Sequence, residues 1–143
     1  MKISTRGRYA LRVMVDLAEH YGKGYLPLKE IAARQEISQK YLEGIMADLS
    51  KTNLLEGLHG KGGGYRLARA PEDYTVGEIL RLTEGELAPI SCLEKGAPPC
   101  ERANQCRTLP MWKDFYRMIN SFFDGVTLAE LVKNGDSGDN YVI

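Results

Sequence analysis

The 143-residue sequence has no apolar run long enough to cross a membrane, only two histidines, and no arrangement of nucleophile, base and carboxylate that suggests catalysis. A membrane helix needs about 20 consecutive apolar residues. The opening MKISTRGRYALRVMVDLAEH instead breaks its apolar positions with Arg8, Arg12, Asp16 and Glu19. That pattern is neither a span nor a signal peptide, so a cytoplasmic protein without a membrane partner is expected. Gly60-Lys61-Gly62-Gly63-Gly64 lacks the Gly-x-x-x-x-Gly-Lys-Ser/Thr spacing of a phosphate loop, which excludes nucleotide hydrolysis, and an enzyme is not expected. The three cysteines, Cys92, Cys100 and Cys106, are an odd number and cannot all pair within the chain. In a reducing compartment, thiolate chemistry or burial has to explain them.

Net charge is also missing, but its absence hides an asymmetry. Residues 1–69 hold 12 Lys and Arg against 7 Asp and Glu, and residues 70–143 hold 7 against 12, so the halves carry +5 and −5. A basic half fits a polyanionic partner. That half also has helical periodicity. Leu11, Met14, Val15, Leu17 and Ala18 follow Ser4 or Thr5 as caps, and Leu28, Ile31 and Ala32 follow Pro27. Beyond a break at Gln35-Glu36-Ile37, Ser38 caps a segment with Tyr41 or Leu42, Ile45, Met46 and Leu49 inward and Gln39, Lys40, Glu43 and Ala47 outward. Two short helices joined by a tight turn make a helix-turn-helix pattern. The runs Leu54–Leu58 and Tyr65–Leu67 flank a Gly-rich tip and read as a hairpin, a wing beside that motif. Thr75 and Glu78 cap a further helix ending near Gly85.

The expected architecture is mainly α with a small β-hairpin wing. A winged helix-turn-helix region (1–85) precedes a cysteine-bearing loop (86–109), a dimerisation helix with a short C-terminal helix (110–134) and a flexible tail (135–143). The N-terminal residues of the second helix of such a motif face base edges in the major groove, making Ser38, Gln39, Lys40, Tyr41 and Glu43 candidates for contact with double-stranded DNA. Gly44 is expected to permit close approach. His59 and Lys61, on a tip of minimal bulk, suit the sugar-phosphate backbone or a minor groove. From Pro110 onward, Trp112, Phe115, Tyr116, Met118, Ile119, Phe122 and Phe123 cover more helix surface than one small domain can bury. Half of that face is expected to pack on a second copy, making a homodimer, with Trp112, Phe115, Tyr116, Ile119, Phe122 and Phe123 as the dimerisation residues. Cys-x7-Cys-x5-Cys on a Gly/Pro-rich loop offers three soft ligands that suit an iron-sulfur cluster or zinc, and the loose spacing, without a close Cys-x2-Cys pair, fits a labile cluster better than zinc. A thiol redox switch and buried apolar thiols stay open beside both.

These features together resemble the Rrf2 family of regulators: the start KISTRGRYAL, the stretch LKEIAARQEISQKYLEGIMADLSKTNLL, the wing GKGGGYRLAR, the element YTVGEILRLTEG and the three-cysteine loop. The resemblance spans nearly the whole chain. It implies a homodimer on a roughly palindromic operator, crossing of the long C-terminal helices, and iron-sulfur ligation by Cys92, Cys100 and Cys106, with a 2Fe–2S cluster favoured over 4Fe–4S. An IscR-type regulator of iron-sulfur assembly genes is the first expectation. A nitric-oxide-sensing repressor of the NsrR type, and a cluster-free cysteine-metabolism regulator controlled by a partner enzyme, are the alternatives. Two positions depart from the pattern. Leu109 stands where IscR-like members have a ligating histidine, and Arg8 stands where some NsrR-like members have an acidic ligand. His59 also replaces a frequent wing arginine. Binding the cluster is expected to order the cysteine loop and the start of the next helix, and so to set the two recognition helices.

Overall fold

The computed structural model describes residues 1–136. Six α-helices and one two-stranded hairpin follow in the order α1 (Thr5–Glu19), α2 (Leu28–Gln35), α3 (Gln39–Lys51), β1 (Leu55–Leu58), β2 (Gly64–Leu67), α4 (Val76–Glu84), α5 (Leu109–Asp124) and α6 (Leu128–Asp136) among the described residues. Each early boundary has a local cause. The Ser4 hydroxyl accepts from the Gly7 N–H at 3.0 Å and starts α1, and the Ser38 hydroxyl accepts from the Tyr41 N–H at 3.2 Å and starts α3. Helix α2 ends where Glu36 turns left-handed (φ +54°) and the Ile37 N–H bonds back to the Ala32 carbonyl at 3.1 Å. Ile37 is thereby buried, and the chain is redirected into α3.

One apolar core joins α1, α2, α3, the hairpin and α4 through Val13, Met14, Leu17, Ile31, Leu42, Ile45, Met46, Leu49, Leu55, Leu67 and Ile79. Leu128 of α6 enters the same core fully buried, with Leu131 and Val132 packed against it. This packing carries α6 through Gly135 to Asp136, past the expected boundary at residue 134, so the expected flexible tail is helical at its first two positions. The remainder of that tail, residues 137–143, lies outside the described residues. Tyr74 is a second tie that the sequence pattern did not reveal. Its buried hydroxyl donates to the Leu54 carbonyl at 2.6 Å and accepts the Ala68 and Arg69 N–H groups at 3.0 Å each, clamping both ends of the hairpin.

The hairpin is antiparallel, with Leu55 opposite Leu67 and Leu58 opposite Gly64. Strand β2 gains a further partner near the tip, because Leu26 and Tyr65 exchange both N–H···O bonds at 2.8 Å. That exchange explains part of the triple glycine. Gly64 adopts φ +149°, and a Cβ there would lie 2.1 Å from the Leu26 carbonyl oxygen; at Gly63 it would lie 2.1 Å from the Leu58 carbonyl oxygen. Both obstacles are backbone atoms, which cannot swing aside. Gly64→Ala is therefore expected to cost about 2 kcal/mol or more, as backbone strain and loss of the Leu26 bridge. Urea unfolding of the variant measures it, and a loss below about 0.5 kcal/mol would show that the start of β2 accepts a side chain.

Candidate nucleic-acid interface and cysteine segment

The first and second elements of the helix-turn-helix are held by charge as well as by apolar packing. Asp16 of α1 is 3% exposed, and its two carboxylate oxygens accept from Arg34 Nε and Nη2 at 3.0 and 2.8 Å and from Gln35 Nε2 at 2.9 Å. Burial alone pushes its pKa up; the hydrogen bonds from Arg34 and Gln35, with the charges of Arg34 and His20, reverse this and hold it below the ordinary carboxylate value. Arg12 reaches the end of α2 from the same helix, donating to the Gln35 carbonyl and, at 3.3 Å, to its side-chain oxygen. Arg6 ties α1 to α3 by donating to Asp48 and, at 3.0 Å, to the Gly44 carbonyl. The close approach expected at Gly44 is thus made from inside the chain, by the Arg6 guanidinium.

With α3 fixed in this way, Leu42, Ile45, Met46 and Leu49 turn inward. Ser38, Gln39, Lys40, Tyr41 and Glu43 are exposed. Ser38 is engaged as the helix cap, and the Tyr41 ring meets Tyr9 edge-on at 5.8 Å, with the Arg12 guanidinium 5.0 Å from the Tyr9 ring centre. A shallow groove of about 420 Å³ runs between the start of α1 and the start of α3, lined by Thr5, Tyr9, Glu36, Ile37, Ser38 and Tyr41. Thr5 and Tyr9 extend this surface beyond the residues picked out from sequence; their only advance signal is position, one turn apart at the start of α1 beside the cap of α3. His59 and Lys61 are exposed in the connection between β1 and β2, as a wing tip requires. If Lys40 touches a phosphate, Lys40→Ala should weaken operator binding and reduce the slope of log affinity against log salt by about one. An unchanged slope in a salt titration would remove Lys40 from the phosphate contacts.

The cysteines lie between α4 and α5, in a segment whose regular structure is limited to two short 3-10 turns, Ser91–Leu93 and Ala103–Gln105. All three thiols are unpaired; Cys92 and Cys100 are exposed and Cys106 is half-buried. The Thr108 hydroxyl, 3.4 Å from the Cys106 sulfur, leads a set of local hydrogen bonds and charges that hold this thiol below its ordinary pKa and favour the thiolate. The donor chemistry fits an iron-sulfur cluster, since three soft donors sit on one adaptable segment. They are not gathered, because no three His, Cys, Asp or Glu side chains among the described residues are placed to hold one metal ion. Leu109 sits at the first turn of α5, and Arg8 is exposed, donating to the Thr5 hydroxyl at 3.2 Å.

Helix α5 divides its apolar surface. Ile119 and Phe123 pack inside the chain against Val76, Leu80 and Leu87, and the Tyr116 hydroxyl donates to Glu86 at 2.5 Å. Trp112 is half-buried beside Phe115. Met111, Phe115, Met118 and Phe122 form the opposite stripe at helical spacing and are 54, 40, 68 and 66% exposed. Of the residues expected at a dimer interface, Phe115 and Phe122 are therefore on the open face, which also includes Met111 and Met118. Ile119, Phe123 and Tyr116 serve the chain's own packing.

A helix-turn-helix with a wing, a basic N-terminal half and an exposed recognition-helix face define a DNA-binding transcription regulator of the winged-helix class. The Rrf2 family of iron-dependent transcriptional regulators matches residues 3–134, and the chain belongs to this family. It is 36% identical over 136 residues to the HTH-type transcriptional regulator IscR of Aliivibrio salmonicida, covering 95% of this chain and 80% of that one. It is 38% identical over 134 residues to IscR of Sodalis glossinidius, covering 94% and 80%. Among solved structures it resembles CymR, the global cysteine regulator of B. subtilis, with a TM-score of 0.77 and 34% identity over 93% of this chain and 97% of that one. It resembles IscR of T. potens with a TM-score of 0.75 and 34% identity, over 100% and 94%. These names describe regulators of transcription rather than enzymes. No described helix is long and apolar enough to cross a membrane.

Proposed function

We propose that this regulator is an IscR-type sensor of iron-sulfur status: a homodimer whose affinity for a two-fold operator, at iron-sulfur assembly genes, depends on a cluster held by Cys92, Cys100 and Cys106. The observation that carries the reading is three unpaired thiols on one surface segment that runs directly into α5. When bound, such a cluster supplies a redox-active and chemically labile group. The chain's own residues do the rest. To hold the cluster, the segment from Glu86 to Thr108 would have to bring its three thiols together; Thr108 and Arg102 favour the Cys106 thiolate, and α5, which follows the segment directly, would carry the rearrangement toward a second copy. The buried Asp16 network and the Arg6 contacts keep each α3 fixed to its own domain, so a change between copies becomes a change in the spacing of two recognition helices.

Anaerobic purification followed by iron and acid-labile sulfide analysis tests the reading, on the wild type and on Cys92→Ala, Cys100→Ala and Cys106→Ala. Stoichiometric iron and sulfide, lost in each variant, is the expected result. A colourless, iron-free dimer that still binds DNA would overturn it. That outcome would favour a cluster-free regulator of the CymR kind, a second reading supported by the structural likeness to CymR over nearly that whole chain and by the ungathered thiols.

A further inference from the structure

The stretch from Ala88 to Gln105, which holds Cys92 and Cys100, makes its hydrogen bonds almost entirely within itself: Leu93 to Ile90, Glu94 to Ser91, Ala97 to Glu94, Ala103 to Cys100 and Gln105 to Arg102. Among the described residues, one direct hydrogen bond ties it to the preceding helix region, from the Lys95 backbone N–H to the Glu86 carboxylate. The other oxygen of that carboxylate accepts from the Tyr116 hydroxyl of α5 at 2.5 Å. Glu86 itself is fixed from behind. It follows Gly85, which ends α4, and precedes Leu87, which is buried and whose carbonyl accepts from the Asn120 side chain of α5 at 3.3 Å. Asn120 and Asp124 in turn accept from Arg81 of α4 at 2.8 Å each. One carboxylate therefore joins the cysteine segment, three residues past Cys92, to the face of α5 opposite its open apolar stripe.

We propose that Glu86 is a latch: the positioning residue through which displacement of the cysteine segment is felt by α5. A segment that folds inward to bring its thiols together has to carry the Lys95 backbone with it, and the shared carboxylate then either follows, pulling on Tyr116, or releases one of its two donors. Bonds to an ionised acceptor are among the stronger surface interactions and give the segment a discrete held position. The latch deepens the sensor reading, but it is a property of the chain without any bound group and is testable there.

The test is the amide hydrogen exchange of Leu93, Glu94 and Ala97, whose N–H groups bond within the segment, resolved by peptide mass spectrometry on the reduced, metal-free full-length chain. Glu86→Ala is expected to raise their exchange rate about tenfold by freeing the segment, with the Cys106 N–H, beyond the second turn, changing less than about twofold as the internal control. Tyr116→Phe lies far from these amides in sequence and leaves the Lys95 bond in place, yet is expected to raise their rate about threefold because the carboxylate loses the hydroxyl that aims it. Glu86→Gln, with one acceptor oxygen for two donors, should fall between wild type and Glu86→Ala. An unchanged exchange rate at Leu93, Glu94 and Ala97 in Glu86→Ala would show that the segment is not held there. A Tyr116→Phe rate equal to wild type would reduce Glu86 to a staple within the loop and overturn its coupling to α5. An equal rise at these amides and at the Cys106 N–H would mean general loosening and would also overturn the latch. None of these readouts uses DNA or a cluster, so failure of the sensor reading and failure of the latch are distinguishable.

Discussion

Asp16→Ala is expected to lower stability by about 3 kcal/mol, near 10 °C in melting temperature at fixed protein concentration, and to weaken operator binding in the fraction that remains folded. Removing one member of a buried ion pair usually costs about 3–5 kcal/mol because the partner is left uncompensated. Arg34 is 35% exposed and can recover some hydration, which places the loss at the lower end. The DNA effect follows from position. Arg34 and Gln35 end α2, one residue before the left-handed Glu36 that aims α3, so the freed arginine loosens the turn and not only the core. Asp16→Asn retains the shape and removes the charge, and its pH dependence is the sharper check. The folded pKa of Asp16 lies below its ordinary value, so its charge stabilises the fold fully above the unfolded value of about 3.9 and ceases to do so as pH falls through the lower folded value. Wild type and Asp16→Asn should therefore differ at neutral pH and converge in acid. A constant difference across that range would mean that the loss is one of packing rather than of charge.

Asp16 also marks where sequence reading stopped. In the sequence it appears only as a charge interrupting an apolar stretch, and nothing local points to Arg34, 18 residues on, as its partner. The elements themselves were legible, because their signals are local. Ser38 and Thr75 cap the helices they were expected to cap, and of the two candidates before α1 it is Ser4 that does so, each accepting at 3.0 to 3.2 Å from the N–H three residues ahead. The inward face of α3 obeys the period of its apolar residues, and the wing lies between the two apolar runs that flank the glycines. The ties between elements were not legible: Tyr74 closing the hairpin, Leu26 extending it, Arg6 covering Gly44, and Glu86 bridging the loop to α5. Each depends on a three-dimensional neighbour that periodicity does not encode. On α5 the sequence shows too much apolar surface for one domain but cannot apportion it. Only the packing of Ile119 and Phe123 against Val76, Leu80 and Leu87 reveals which stripe is left open.

That open stripe supports the second large effect. Met118→Glu combined with Phe122→Glu is expected to convert a dimer to a folded monomer and to lower operator affinity by at least about a hundredfold, since a two-site attachment becomes a one-site attachment. The two side chains are 68 and 66% exposed in the single chain, so the charges burden its own fold very little, and circular dichroism and thermal melting should stay close to wild type. In a dimer the same positions would bury four carboxylates without partners, a penalty that no apolar contact at this interface can offset. Met111, Phe115, Met118 and Phe122 recur every three or four residues, the spacing by which one helix presents a continuous seam to another. Sedimentation velocity and a half-site titration separate the outcomes. A monomer that binds one half-site weakly and the full operator no better supports pairing through α5. A variant that remains dimeric with full operator affinity would place the interface elsewhere and leave the apolar stripe of α5 without a role in assembly.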